Sequence, residues 1–207
     1  MFYRYDQDAI VLAVDVDDIT IARDSKREIK RFKEQLSAQY KIKDLGDLNW
    51  LLGLEVTRDR GQCTITFGQS AYIQKVVDRF NLQDAKPLSI LMNPGDNLSV
   101  RDCPEAPDEI DKIRHVPYKE VIGSLMYAVI GSRPDIAYAV SYLTRFMQNP
   151  GSVHWETVKR VVRYLKGTKD AKLTVGLGGT FVWAQADKQN RRGLKGFSDA
   201  DGNSHEH

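Results

Sequence analysis

Hydrophobic periodicity in this 207-residue chain predicts an α+β fold: β-hairpins mixed with helices, then an all-helical segment, then a short β region. Alternating apolar residues near the start and again within residues 50–67 carry the strands. Three apolar stripes at helical spacing within residues 117–168 carry the helices. Between these regions Pro87, Pro94, Gly95, Pro104 and Pro107 interrupt every period, and residues 101–111 are rich in acids, so the stretch reads as a linker. The expected organisation is therefore 1–86, a linker at 87–116, a helical segment at 117–168 and a β region at 169–207.

The first element is IVLAVDVDDITIA at residues 10–22, where Ile10, Leu12, Val14 and Val16 share one strand face and Ile19 and Ile21 resume it. Aspartate tolerates turn geometry that β-branched residues resist, so the chain should reverse near Asp17 and Asp18 and expose both carboxylates. Ser25 and Glu28 form a capping-box pattern for a helix whose buried stripe would be Ile29, Phe32, Leu36 and Tyr40. Residues 50–58 and 63–67 read as two strands of a second hairpin around Asp59, Arg60 and Gly61. Ile73, Val76, Val77 and Phe80 then predict a short helix.

In the helical segment, Val121, Ile122, Leu125, Met126, Val129 and Ile130 stripe the first helix, and Ser132 to Asp135 supply a break. Ile136, Val140, Leu143 and Met147 stripe the second, which should stop at Asn149-Pro150-Gly151. Val158, Val161, Val162 and Leu165 face inward in the third, with Lys159, Arg160, Arg163 and Lys166 on its other side. Residues 151–172 hold six basic against two acidic side chains, a candidate phosphate-facing surface. Residues 173–177 and 181–184 are strand-like.

Composition narrows the class. With 42% hydrophobic and 28% charged residues the chain is an ordinary globular one, and a net charge of +2 does not by itself mark a nucleic-acid binder. No apolar run approaches a membrane span and the first residues lack a signal-peptide core, so an intracellular chain, cytoplasmic and/or nuclear, with no membrane partner is expected. Cys63 and Cys103 have the spacing of neither a disulfide framework nor a zinc site.

The candidate chemistry is Asp17 and Asp18, with Asp15 close by. Two carboxylates about 4 Å apart repel by roughly 4 kcal/mol at an effective dielectric of 20, which favours a cation beside them. Mg²⁺ takes one or two carboxylates plus waters and phosphate oxygens, and paired metals serve nucleotidyl transfer. A paired-aspartate turn on its own is more often a solvated turn. His205-Glu206-His207 reads as a charged terminus, His115 and His154 as surface or helix-end residues, and Trp50, Trp155 and Trp183 as packing residues. Ser124 and Ser141 have no evident triad partners, and Gly176, Gly178 and Gly179 lack a phosphate-loop pattern.

The company these aspartates keep is more specific. VDVDDITIARDS resembles the YVDD hairpin of copia-type LTR retrotransposon reverse transcriptases. The likeness continues through KDLGDLNWLLGLEVTRD, QSAYIQKVVDRFNLQDAKP, YKEVIGSLMYAVIGSRPDIAYAVSYLTRFMQNPGSVHWETVKRVVRYLKGT and GFSDAD, from about Ala9 to Asp201. It implies a partial palm, a thumb/connection-like helical segment and the start of an RNase H region. By position Asp17 and Asp18 match the paired catalytic and metal-binding carboxylates, and Asp199 the first RNase H metal ligand. Trp50, Leu52, Gly53 and Leu54 fall in the primer-grip-like strand, and Lys159, Arg160, Arg163 and Lys166 on a nucleic-acid-binding helix. The implied cofactor is Mg²⁺ or Mn²⁺, and the implied partners are an RNA/DNA template-primer duplex and a dNTP.

Three departures qualify this. The family's third metal-binding aspartate and its fingers would lie before Met1, so the chain is expected to be an inactive piece when alone. Asp15 replaces the family's tyrosine and adds charge to an acidic hairpin. Gly202 stands where tryptophan is usual, and the remaining RNase H carboxylates would lie past His207. A non-enzymatic nucleic-acid-binding remnant and a degraded element copy are the alternative readings. A palm sheet lacking its neighbouring strand would also expose an edge and favour self-association.

Overall fold

The computed structural model describes residues 10–23, 25–92 and 98–176, together with the strand backbones of 180–184 and 194–197. The chain divides into two compact units, 1–48 and 49–207. It is α+β, with six α-helices and two antiparallel sheets among the described residues.

In the first unit β1 (Val11–Asp15) pairs with β2 (Asp18–Ala22), in register from Val11↔Ala22 to Asp15↔Asp18. The reversal is therefore the two residues Val16 and Asp17, one position earlier than the aspartates alone suggest. Val16 has φ +50, a region that β-branched residues seldom occupy, and it is 91% exposed. Helix α1 (Lys26–Gln39) follows, with Ser25 at its N-cap position. The expected capping box is not made: the Ser25 side chain accepts no cap bond, and Glu28 pairs with Arg23. The expected buried stripe is also only partial, since Ile29, Phe32 and Leu36 are half-buried and Tyr40 is exposed.

The second unit is built on a six-stranded antiparallel sheet in the order β3 (Trp50–Leu51), β4 (Leu54–Asp59), β5 (Thr64–Gly68), β6 (Lys172–Val175), β7 (Thr180–Ala184), β8 (Leu194–Phe197). Residues 50–58, expected as one strand, reverse at Leu52 and Gly53, whose φ values are +49 and +77. Consecutive left-handed residues are what a tight hairpin of this hand requires, and glycine supplies one at no steric cost. β5 pairs with β6 across more than a hundred residues, from Gly68↔Lys172 to Ile65↔Val175, and the Thr66 and Thr174 hydroxyls meet at 3.0 Å. β6, β7 and β8 extend the sheet of the second hairpin.

Helices fill the insertion between β5 and β6. Helix α2 (Ser70–Arg79) buries Ile73, Val76 and Val77. The proline-rich stretch contains a 3-10 turn at Val100–Asp102 capped by Ser99, and helix α3 (Pro107–Arg114), which starts on proline. Parts of that stretch are packed, since Leu98 belongs to the core and the Leu88 amide donates to the Arg163 carbonyl. Helices α4 (Tyr118–Gly131), α5 (Ala137–Thr144) and α6 (Ser152–Gly167) complete the core around Ile122, Leu125, Leu143, Val158 and Val162. Met126 and Ile130, expected inside, are exposed, and α5 ends five residues before the expected stop. Arg133 is fully buried: Nε and Nη2 donate to the Asp135 carboxylate at 3.0 and 2.8 Å, and Nη1 and Nη2 to the Thr168 carbonyl and hydroxyl. This fork fastens the α4–α5 break to the end of α6.

Candidate functional site

The β1–β2 register makes Asp15 and Asp18 the last cross-strand pair and puts Asp17 in the turn. All three side chains are exposed, and among the described residues none of them is held by an ion pair. No group of three His, Cys, Asp or Glu side chains among the described residues could hold a metal ion. Two adjacent carboxylates on an exposed turn are nevertheless the donor set that Mg²⁺ accepts when waters and phosphate oxygens complete its shell. Asp17 and Asp18 thus fit a metal as part of a site. Asp199 and the His205–His207 terminus lie outside the described residues.

The Leu52–Gly53 turn is exposed. Trp50 and Leu52 are each 60% exposed, whereas Leu54 is half-buried. Trp50 is thus not the packing residue expected; Trp155 is, half-buried against the helical core with Lys159 over its ring at 5.9 Å. The Trp183 side chain lies outside the described residues. The Leu52 carbonyl accepts a hydrogen bond from Tyr127 Oη at 2.5 Å, and the Tyr127 ring lies 4.7 Å from Tyr72. Neither tyrosine stood out in the sequence, because Tyr127 falls outside the apolar stripe of α4. Tyr72, Arg79, Glu120, Gly123, Ser124 and Tyr127 line a shallow cavity of about 430 Å³ beside them.

The basic residues of α6 do not form an open cationic face. Lys159, Arg160, Arg163 and Lys166 are all partly buried. Lys159 pairs with Glu156 at 2.6 Å, Arg163 Nε donates to the Lys86 carbonyl at 2.8 Å, and Lys166 Nζ donates to the Gln83 and Ala85 carbonyls at 2.5 and 2.8 Å. The cause is geometric: residues 83–88 run along α6 and bring backbone acceptors to its cations. His154, expected as a surface or helix-end residue, does sit at a helix end, in the first turn of α6, but with no exposure, stacked on Phe146 at 3.9 Å and accepting the Gly151 amide at Nδ1. Burial pushes its pKa below the ordinary imidazole value, against the opposing pull of Asp102 and Ser99. Cys63 is exposed, and burial, then the Asp102 charge, raises the pKa of the Cys103 thiol. No helix among the described residues is long and apolar enough to cross a membrane.

Residues 1–94 match the family described as "Reverse transcriptase (RNA-dependent DNA polymerase)". Over 93% of its length the chain is 39% identical to the retrovirus-related Pol polyprotein from transposon TNT 1-94 of Nicotiana tabacum, covering 14% of that protein. It is 33% identical, again over 93% of its length, to the Pol polyprotein from transposon RE2 of Arabidopsis thaliana, covering 12% of it. An uncharacterized mitochondrial protein of Arabidopsis thaliana is 30% identical over 88% of the chain and 75% of its own length. No solved structure matches. The chain belongs to the reverse transcriptase family of copia-type transposon Pol polyproteins. It spans 12–14% of the length of the Pol polyproteins it matches.

Proposed function

We propose that this chain is the rear part of a copia-type polymerase that copies RNA into DNA by two-metal nucleotidyl transfer. In this reading residues 1–86 are the partial palm, α4–α6 take the thumb/connection position and residues 169–207 lead into the RNase H region. The observation that carries it is the exposed turn at Asp17 and Asp18, inside the stretch that matches the family. Bound there, Mg²⁺ or Mn²⁺ would activate the primer 3′-hydroxyl and neutralise the leaving pyrophosphate. Asp17 and Asp18 would hold the ions against the dNTP phosphates. Trp50, Leu52, Gly53 and Leu54 would lie against the primer strand of the template-primer duplex.

Asp15 faces Asp18 across the hairpin, but the three aspartates make no metal-holding group among the described residues, and in this reading the chain alone does not polymerise. A primer-extension assay on an RNA template with Mg²⁺ or Mn²⁺ tests this. The isolated chain should incorporate nothing, and clear incorporation overturns the claim of inactivity. A polypeptide that adds the upstream palm strand and fingers should be active, and Asp17→Asn or Asp18→Asn should lower its kcat at least about a hundredfold. Undiminished activity in both variants removes the metal role. The β1–β2 sheet has two strands and leaves its outer edges unpaired among the described residues, so self-association at high concentration is also expected and sedimentation reads it.

A further inference from the structure

We propose that Tyr127 is a positioning residue for the Leu52–Gly53 turn, fixing through its hydroxyl where that turn stands relative to helix α4. The consequence for a primer terminus rests on the primer-grip reading above. The placement of the turn does not.

The β3 side of the hairpin that carries the turn is weakly held, although β4 is anchored along β5. β3 is two residues long and pairs with β4 only through Trp50↔Glu55 and Leu51↔Leu54, supported by the Val56 amide donating to the Asn49 carbonyl at 2.8 Å. An edge strand of two residues adds few ladder bonds to hold the turn beyond it. Leu52 is in the left-handed region at φ +49 and its side chain is largely exposed, so burial does not compensate the conformation. What holds it comes from outside the hairpin: Tyr127 Oη donates to the Leu52 carbonyl at 2.5 Å.

The donor is itself braced. The Tyr127 ring meets Tyr72 at 4.7 Å with a 55° tilt, and Tyr72 Oη donates to the Ser124 carbonyl one turn earlier in α4 at 3.0 Å. Tyr72 belongs to α2 and Tyr127 to α4, whose other faces bury Ile73, Val76, Leu125 and Ala128 in the core. Gly53 matches the arrangement twice over. Its φ of +77 suits glycine, and a Cβ there would stand 3.0 Å from Tyr127 Oη. A side chain at position 53 would therefore push the turn and the tyrosine apart. If the exposed Trp50 and Leu52 side chains receive the 3′ end of a nucleic-acid strand, its distance from the helical core is set by Tyr127.

Hydrogen–deuterium exchange on the chain tests this directly. Tyr127→Phe keeps the ring and its contact with Tyr72 but removes the donor, so amides 50–56 should exchange about fivefold faster while the urea midpoint stays within error. Gly53→Ala is the second variant and should speed the same amides. A DNA primer with 2-aminopurine at its 3′ end, annealed to RNA, supplies a spectroscopic readout that global stability would not move. Faster exchange together with a weakened 2-aminopurine response in Tyr127→Phe supports the proposal and the grip reading. Faster exchange with no response from the wild-type chain supports the Tyr127 placement and removes the grip reading. Unchanged exchange at 50–56 in Tyr127→Phe overturns the proposal, whatever the duplex shows.

Discussion

Asp135→Asn is a nearly isosteric change whose effect should be far larger than its size. Arg133 is fully buried and its guanidinium meets the Asp135 carboxylate at 2.8 Å in a two-pronged pair, with the Asp135 side chain only 4% exposed. The asparagine leaves a buried cation with the Thr168 carbonyl and hydroxyl but without its counter-charge. Breaking a buried pair in this way costs about 3–5 kcal/mol, a large share of the roughly 5–15 kcal/mol that holds a typical domain folded. At about 2 kcal/mol per molar of urea, the unfolding midpoint should fall by about 1.5–2.5 M. Replacing both residues, as Arg133→Met with Asp135→Leu, should cost less than the single change, because no charge is then stranded. Tyr164 gives a second reading. Burial and then the Asp135 charge push its hydroxyl up to about 12, so in Asp135→Asn it should ionise at lower pH in an absorbance titration. A midpoint shift under about 0.5 M, or a double variant as damaged as the single one, would refute the account of this pair.

Two further predictions concern α6 and the glycines. His154 has a pKa lowered by burial, whereas the unfolded chain protonates near 6.5, so the unfolded state binds the extra proton first as pH falls. Stability should be level above that value and decline as pH drops below it, and a urea midpoint series from neutral pH downward checks this, with His154→Gln expected to flatten the slope. Gly151 and Gly123 should respond to alanine in opposite directions. A Cβ on Gly151 would fall 1.8 Å from the Asp102 carbonyl oxygen and cost at least about 3 kcal/mol, whereas one on Gly123 meets nothing within 4 Å in a helix interior and should add about 0.5–1 kcal/mol. Thermal unfolding of the two variants measures both.

Much of the helical core was legible because its burial follows one period. Ile73, Val76 and Val77 in α2 and Val158, Val161, Val162 and Leu165 in α6 repeat at helical spacing, and all are buried. The Leu52–Gly53 reversal was missed because an apolar run around one glycine looks like a single strand, although an isolated glycine in such a run is itself a warning. Helix α3 was hidden by counting its proline as a breaker. Pro107 stands in the first turn, Asp108 and Glu109 follow it, and Lys112 and Arg114 close the helix, a charge order that suits the helix dipole. The pairing of β5 with β6 leaves no local trace, since the intervening helices separate the two strands in sequence.

The two candidate nucleic-acid features illustrate what a charge pattern can carry. Lys159, Arg160, Arg163 and Lys166 recur along α6 as a phosphate-binding face would, but the same spacing serves a helix that collects the carbonyls of a segment lying along it. Residues 83–88 supply those carbonyls to Arg163 and Lys166, while Lys159 pairs with Glu156. Asp17 and Asp18 present the opposite situation. They are exposed, no described cation pairs with them, and the turn beside them holds Val16 in a backbone conformation that costs about 1–3 kcal/mol. Packing does not repay that cost, because Val16 is among the most exposed residues of the chain. Strain and like charge concentrated on one exposed turn are what the proposed metal role would use, and the proposed polymerase reading rests on β1–β2 and not on α6.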